Sequence, residues 1–163
     1  MVHDMSITER YAVVYDQPVV VDLDLALAGR FPFRWTPDYG NQVGLLPRTA
    51  DSADSIIWIE IPLGVTFHPL NAYDAADGTV VIDICNYDKI FDLDILGPFG
   101  DGGQARLERW ELNPARRTMN VTVIDERANE FPRHNGAKSG RPYRSRARLI
   151  VGSAAAADGP WRH

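Results

Sequence analysis

The residues able to do chemistry in this chain are its four histidines, His3, His68, His134 and His163, and the carboxylates that flank its apolar segments. No two histidines are neighbours in sequence, which excludes a helical His-Glu-x-x-His metal site, and the single cysteine excludes the Cys-His zinc patterns. Ser6, Ser52, Ser55, Ser139, Ser145 and Ser153 stand outside any Gly-x-Ser-x-Gly frame, so nucleophilic serine chemistry has no support. Gly100-Asp101-Gly102-Gly103 is followed by no Gly-Lys-Ser/Thr, so it is a turn cluster and not a phosphate loop. Cys85 lies in the run Val80-Val81-Ile82-Asp83-Ile84-Cys85 and is expected as a buried small hydrophobe. Any site must be assembled from strands distant in sequence.

The elements that position such residues read as mainly β. Period-two apolar patterns dominate, and they predict strands over 6–15, 19–23, 42–46, 56–61, 79–87, 105–112 and 119–124. The clearest hairpin joins Arg106–Leu112 to Met119–Ile124 through a turn opened by Asn113-Pro114, and it resembles the outer part of a propeller blade. Further turn clusters fall at Phe31-Pro32-Phe33, 97–103 and 135–140, and a small-residue tail over about 153–163 is expected to be flexible.

A length of 163 residues makes one domain the expectation. Seventeen Lys+Arg against twenty-two Asp+Glu gives a net charge of −5, which argues against nucleic acid as the main partner. The local exception, basic from Arg133 to Arg148, reads as a solvated loop and strand face. No apolar run approaches the roughly 20 residues that cross a bilayer, so no transmembrane segment is expected. Met1-Val2-His3-Asp4 lacks the basic and apolar parts of a secretory signal, which makes the cytoplasm the expected compartment.

The segment His3-Asp4-Met5-Ser6-Ile7-Thr8-Glu9-Arg10-Tyr11 resembles the His-Asp segment of the carotenoid cleavage oxygenases, the family of apocarotenoid and lignostilbene dioxygenases. Further matches follow in family order: Pro32-Phe33-Arg34-Trp35, Gly44-Leu45-Leu46-Pro47-Arg48, Phe67-His68-Pro69-Leu70-Asn71-Ala72-Tyr73-Asp74, Glu130-Phe131-Pro132-Arg133 and Gly140-Arg141-Pro142-Tyr143. The resemblance runs over essentially the whole chain. It implies part of a seven-bladed β-propeller, about two to three blades. It also implies a non-haem Fe(II) held by four histidines, most of them backed by glutamates, at which dioxygen cleaves a double bond of a polyene or stilbene-like substrate.

Carried over by position, the resemblance matches His3 to the family's third iron ligand. Glu130 matches a carboxylate that orients a ligand ring, and Asp74 stands where another such glutamate is common, with a shorter side chain. His68 is read as an inner-face pocket residue and not a ligand, while His134 and His163 receive no role. Family members are much longer than this chain, so the other three ligands are expected outside it and the segment alone is expected to be inactive. The alternative is a non-catalytic β-sheet fragment that pairs with a complementing chain or self-associates through open sheet edges.

Overall fold

The computed structural model describes residues 1–90, 104–143 and 146–150. The turn cluster at 97–103, the tail over 153–163 and His163 lie outside the described residues. Along the chain run β1 (Met5–Ile7), β2 (Tyr11–Asp16), β3 (Val19–Val21), α1 (Leu23–Leu27), β4 (Phe33–Trp35), β5 (Gln42–Pro47) and β6 (Ile57–Glu60). They are followed by β7 (Val65–Asp74), β8 (Val80–Tyr87), β9 (Arg106–Asn113), β10 (Thr118–Asp125), β11 (Asn129–His134) and β12 (Arg146–Ile150). Every strand pairing is antiparallel. Two four-stranded sheets, in the orders β1-β2-β5-β6 and β10-β9-β8-β7, are accompanied by the pairs β3-β4 and β11-β12.

The mainly β reading holds, and the structure adjusts its boundaries. The expected strand over 6–15 is two strands, because Thr8 Oγ1 accepts the backbone N–H groups of Arg10 and Tyr11 and folds the chain back at that point. Leu23 leaves the expected strand over 19–23 for α1, whose first turn is capped by the Asp22 carboxylate accepting from the amides of Asp24 and Leu25. The expected β9–β10 hairpin forms, with Asn113 opposite Thr118 and Leu112 opposite Met119. Periodicity alone missed β4, β7, β11 and β12; β7 and β11 carry Pro69 and Pro132, residues that interrupt a ladder and confine a strand to an edge or a bulge.

All eight residues of β8 are buried. Its alternating faces serve two cores. Val80, Ile82 and Ile84 pack with Val13, Leu45, Ile59, Trp110 and Leu112, between the two large sheets. Cys85 and Tyr87, on the opposite face, pack with Val65, Phe67, Leu70 and Leu107, which seats the predicted buried cysteine. That second face also carries Asp83, fully buried and directly opposite Arg109 on β9. The guanidinium donates to both carboxylate oxygens, at 2.8 and 2.9 Å, and the Tyr143 hydroxyl donates as well. A fully buried carboxylate is tolerable here because both its oxygens are occupied.

Removing that carboxylate leaves a partly buried cation without its counter-charge. Asp83→Ala should therefore lower stability by about 3 kcal/mol in urea unfolding. Adding Arg109→Met to that variant should recover part of the loss, since the uncompensated charge is then gone.

Candidate functional site

Strand β7 pairs with β8 in a register that shifts twice, between Thr66 and Pro69 and again between Pro69 and Asn71. His68 sits inside this irregular stretch. Such bulges bend a strand and re-aim the side chains they carry. Strand β11 has its own shift against β12, between Glu130 and Arg133, and β11 packs against β7. The two irregularities therefore face one another, and they bring residues 62 positions apart into contact.

The contact is a short hydrogen bond: His68 Nδ1 lies 2.6 Å from Glu130 Oε2. An ionised carboxylate only accepts, so the neutral ring carries its proton on Nδ1 and presents a lone pair at Nε2. Oε2 also accepts the Phe131 amide at 2.9 Å, while Oε1 is buried and has no hydrogen-bond partner among the described residues. The Glu130 side chain is only 4% exposed, and Tyr87 lies against it. Burial, and then the adjacent Glu130 charge, raise the Tyr87 phenol far above its ordinary range and keep it protonated.

His3, just before β1, lies beside this pair. Its Nδ1 is 3.0 Å from the Phe67 carbonyl oxygen, an acceptor, so Nδ1 donates and Nε2 again holds the lone pair. The His3 and His68 ring centroids are 5.2 Å apart, with planes at 87°. Two imidazoles bound side by side to one ion, with metal–nitrogen bonds of about 2.1 Å, place their centroids roughly 4.6–5.3 Å apart. The observed spacing falls in that range. Phe67 stands edge-on to His3 at 4.9 Å, and Phe131 covers His68 at 4.5 Å, so the imidazoles have aromatic walls.

Asp74, expected behind a histidine, is held elsewhere. Its carboxylate accepts the Arg10 amide at 2.9 Å and pairs with the Arg10 guanidinium at 3.2 Å, which ties the β1–β2 turn to the end of β7. His134 bonds Ser139 Oγ through Nε2 at 2.9 Å and stays apart from the His3–His68 pair. Sequence reasoning set His68 aside as a ligand. The signal that could have retained it, a carboxylate within reach of Nδ1, comes from a residue 62 positions away in sequence. Among the described residues no group of three or more His, Cys, Asp or Glu is placed to hold a metal, so two imidazoles and one supporting carboxylate are what this chain brings together.

The family profile described as retinal pigment epithelial membrane protein matches residues 1–153. The chain is 31% identical to a carotenoid cleavage oxygenase of Mycobacterium tuberculosis, over 88% of this chain and 37% of that protein. It is 30% identical to the apocarotenoid-15,15'-oxygenase of Synechocystis sp., over 88% of this chain and 30% of that protein. A solved structure of cobalt-substituted Synechocystis ACO superposes with a TM-score of 0.80 at 26% identity, covering 94% of this chain and 33% of that one. The chain thus spans about a third of the length of the relatives it matches. Among the described residues no helix is long and apolar enough to cross a membrane.

The Glu130 contact has a direct readout in the ring nitrogens. In ¹⁵N NMR of the imidazoles, His68 should show a proton on Nδ1, and Glu130→Ala should remove that preference, leaving His134 unchanged.

Proposed function

The chain belongs to the retinal pigment epithelial membrane protein family, and on that premise we propose that it is a segment of a non-haem Fe(II) oxygenase that cleaves a double bond of an apolar conjugated substrate. The substrate class rests on relatives named as carotenoid, apocarotenoid and resveratrol cleavage oxygenases, polyenes and a stilbene. The segment is read as two to three blades of a propeller, supported by the two four-stranded antiparallel sheets and the start of a further one at β11-β12. Iron supplies, when bound, the redox chemistry that brings dioxygen to the double bond.

The observation that carries this reading is the carboxylate-backed His68 beside His3. Both rings are proton-bearing at Nδ1 and open at Nε2, the state a metal ligand needs, and a carboxylate or carbonyl on the far nitrogen fixes tautomer and orientation. We therefore assign His68 as a ligand together with His3, in place of the pocket role its sequence suggested, with Glu130 as the group that orients it. The bond from Asp74 to Arg10 supports a role in fastening two turns rather than in orienting a ring. The remaining ligands come from outside the described residues. Phe67 and Phe131 supply apolar faces beside the two imidazoles that suit a flat, conjugated substrate.

Two neutral imidazoles hold Fe(II) weakly, because the strength of a multi-ligand site depends on all its ligands being preorganised together. Purified without chelator, the chain alone should retain well under one iron per molecule. Titrated with Co²⁺ and followed by visible absorption, it should bind through the histidine pair. His3→Ala or His68→Ala should each weaken binding by about tenfold or more, one lost ligand's worth, whereas His134→Ala should leave it unchanged. Equal cobalt affinity in wild type and His68→Ala would remove His68 from the ligand set.

A further inference from the structure

We propose that Phe131 is a positioning residue for the His68 imidazole, an inference that rests on the metal-ligand reading of His68 above. Phe131 has a φ of 48°, a left-handed conformation that a bulky aromatic residue rarely adopts. Such strain persists only where the surroundings over-determine it. The Phe131 amide donates at 2.9 Å to Glu130 Oε2, the same oxygen that receives His68 Nδ1–H, which fixes the peptide plane leading into this residue. The strained turn lies in the bulge of β11 and leaves the Phe131 side chain 47% exposed, an unusual state for a phenylalanine in a β-sheet. Its ring packs on the imidazole of His68, at 4.5 Å between centroids and 37° between planes.

Glu130 anchors His68 at a single nitrogen, and a ring anchored at one point can still swing about that bond. The Phe131 face closes this freedom, because rotation of the imidazole out of its plane runs into the phenyl ring. Edge-on contact with His3 limits the other side. One carboxylate oxygen thus fixes the tip of the imidazole, and the same oxygen anchors the peptide plane that carries the phenyl ring limiting its tilt. Phe131 touches neither a reacting atom nor a metal in this arrangement, and it acts through His68.

The test separates ring from backbone. Glycine takes a φ of 48° without strain, so Phe131→Gly keeps the bulge and the amide bond to Glu130 while deleting the phenyl face. Phe131→Gly should weaken Co²⁺ binding about threefold to tenfold, the range expected for losing one aromatic contact, and should change the cobalt absorption band, whereas Phe131→Tyr should restore both. In metal-free protein, NMR relaxation of the His68 ring should show greater mobility in Phe131→Gly, with Phe131→Tyr matching wild type. Cobalt affinity and His68 ring mobility both unchanged in Phe131→Gly would overturn the proposal. Should wild type show no His68-dependent cobalt binding, the ligand reading fails by itself, and the metal-free ring mobility still decides whether Phe131 positions the imidazole.

Discussion

A carboxylate withdrawn from water must be met by hydrogen-bond donors, and the arrangement around Glu130 is set by how that demand is met. An unpaired buried charge costs several kcal/mol, so the chain is constrained to bring donors to it. It does so with the ring N–H of a residue 62 positions earlier and the amide of the very next residue, both directed at Oε2. The first bond draws the irregular stretch of β7 against β11. The second fixes the peptide plane from which the left-handed Phe131 departs. The imidazole tautomer and the closeness of the two bulges thus follow from one buried carboxylate, with the strained aromatic beside it.

The segment from Phe67 to Asp74 distributes this constraint across the molecule. His68 reaches Glu130, Asn71 donates to the carbonyls of Lys138 and Arg141 and accepts from the Gly140 amide, and Asp74 accepts from Arg10. His68, Asn71 and Asp74 are thus each bonded to a residue more than sixty positions away. Hydrogen bonds of this kind add modestly to stability but are directional, so they fix where the strand lies more than how strongly it is held. Proline at 69 removes a ladder donor in the same stretch, and the long-range side-chain bonds take over the work of registering the strand.

That division explains what could be read from the sequence. Strands β8 and β9 were legible because Val80, Ile82, Ile84 and then Leu107, Trp110, Leu112 meet apolar cores at a regular period. Burial of Cys85 followed from the same pattern. Strands β7 and β11 were not, because Pro69, His68, Asn71 and Pro132 break the alternation that marks a strand. The residues that serve the site are the ones that spoil the pattern. His3 and Glu130 were identified through resemblance in local strings. The contacts of His68 and Asp74 were not legible because a side chain's partner across 60 residues leaves no trace in local spacing; the Asp74 side chain is taken up by Arg10 of the nearest turn.

Buried carboxylates by themselves do not mark a functional site, and this chain shows why. Asp83 has both oxygens engaged by Arg109, with Tyr143 added. Glu108, 3% exposed, has one oxygen on Asn86 and Trp110 and the other on Arg106. In both, each carboxylate oxygen has a donor among the described residues. Glu130 differs in two ways: Oε1 has no donor among the described residues, and the imidazole it holds points an unprotonated nitrogen away from it. Sequences that fold well satisfy their local rules almost everywhere and break them where something outside the fold must be accommodated. An open carboxylate oxygen, an open imidazole nitrogen and a strained, exposed phenylalanine occur together on the facing bulges of β7 and β11, with the His3 ring beside them. Their coincidence distinguishes this corner from the structural ion pairs of β8 and β9.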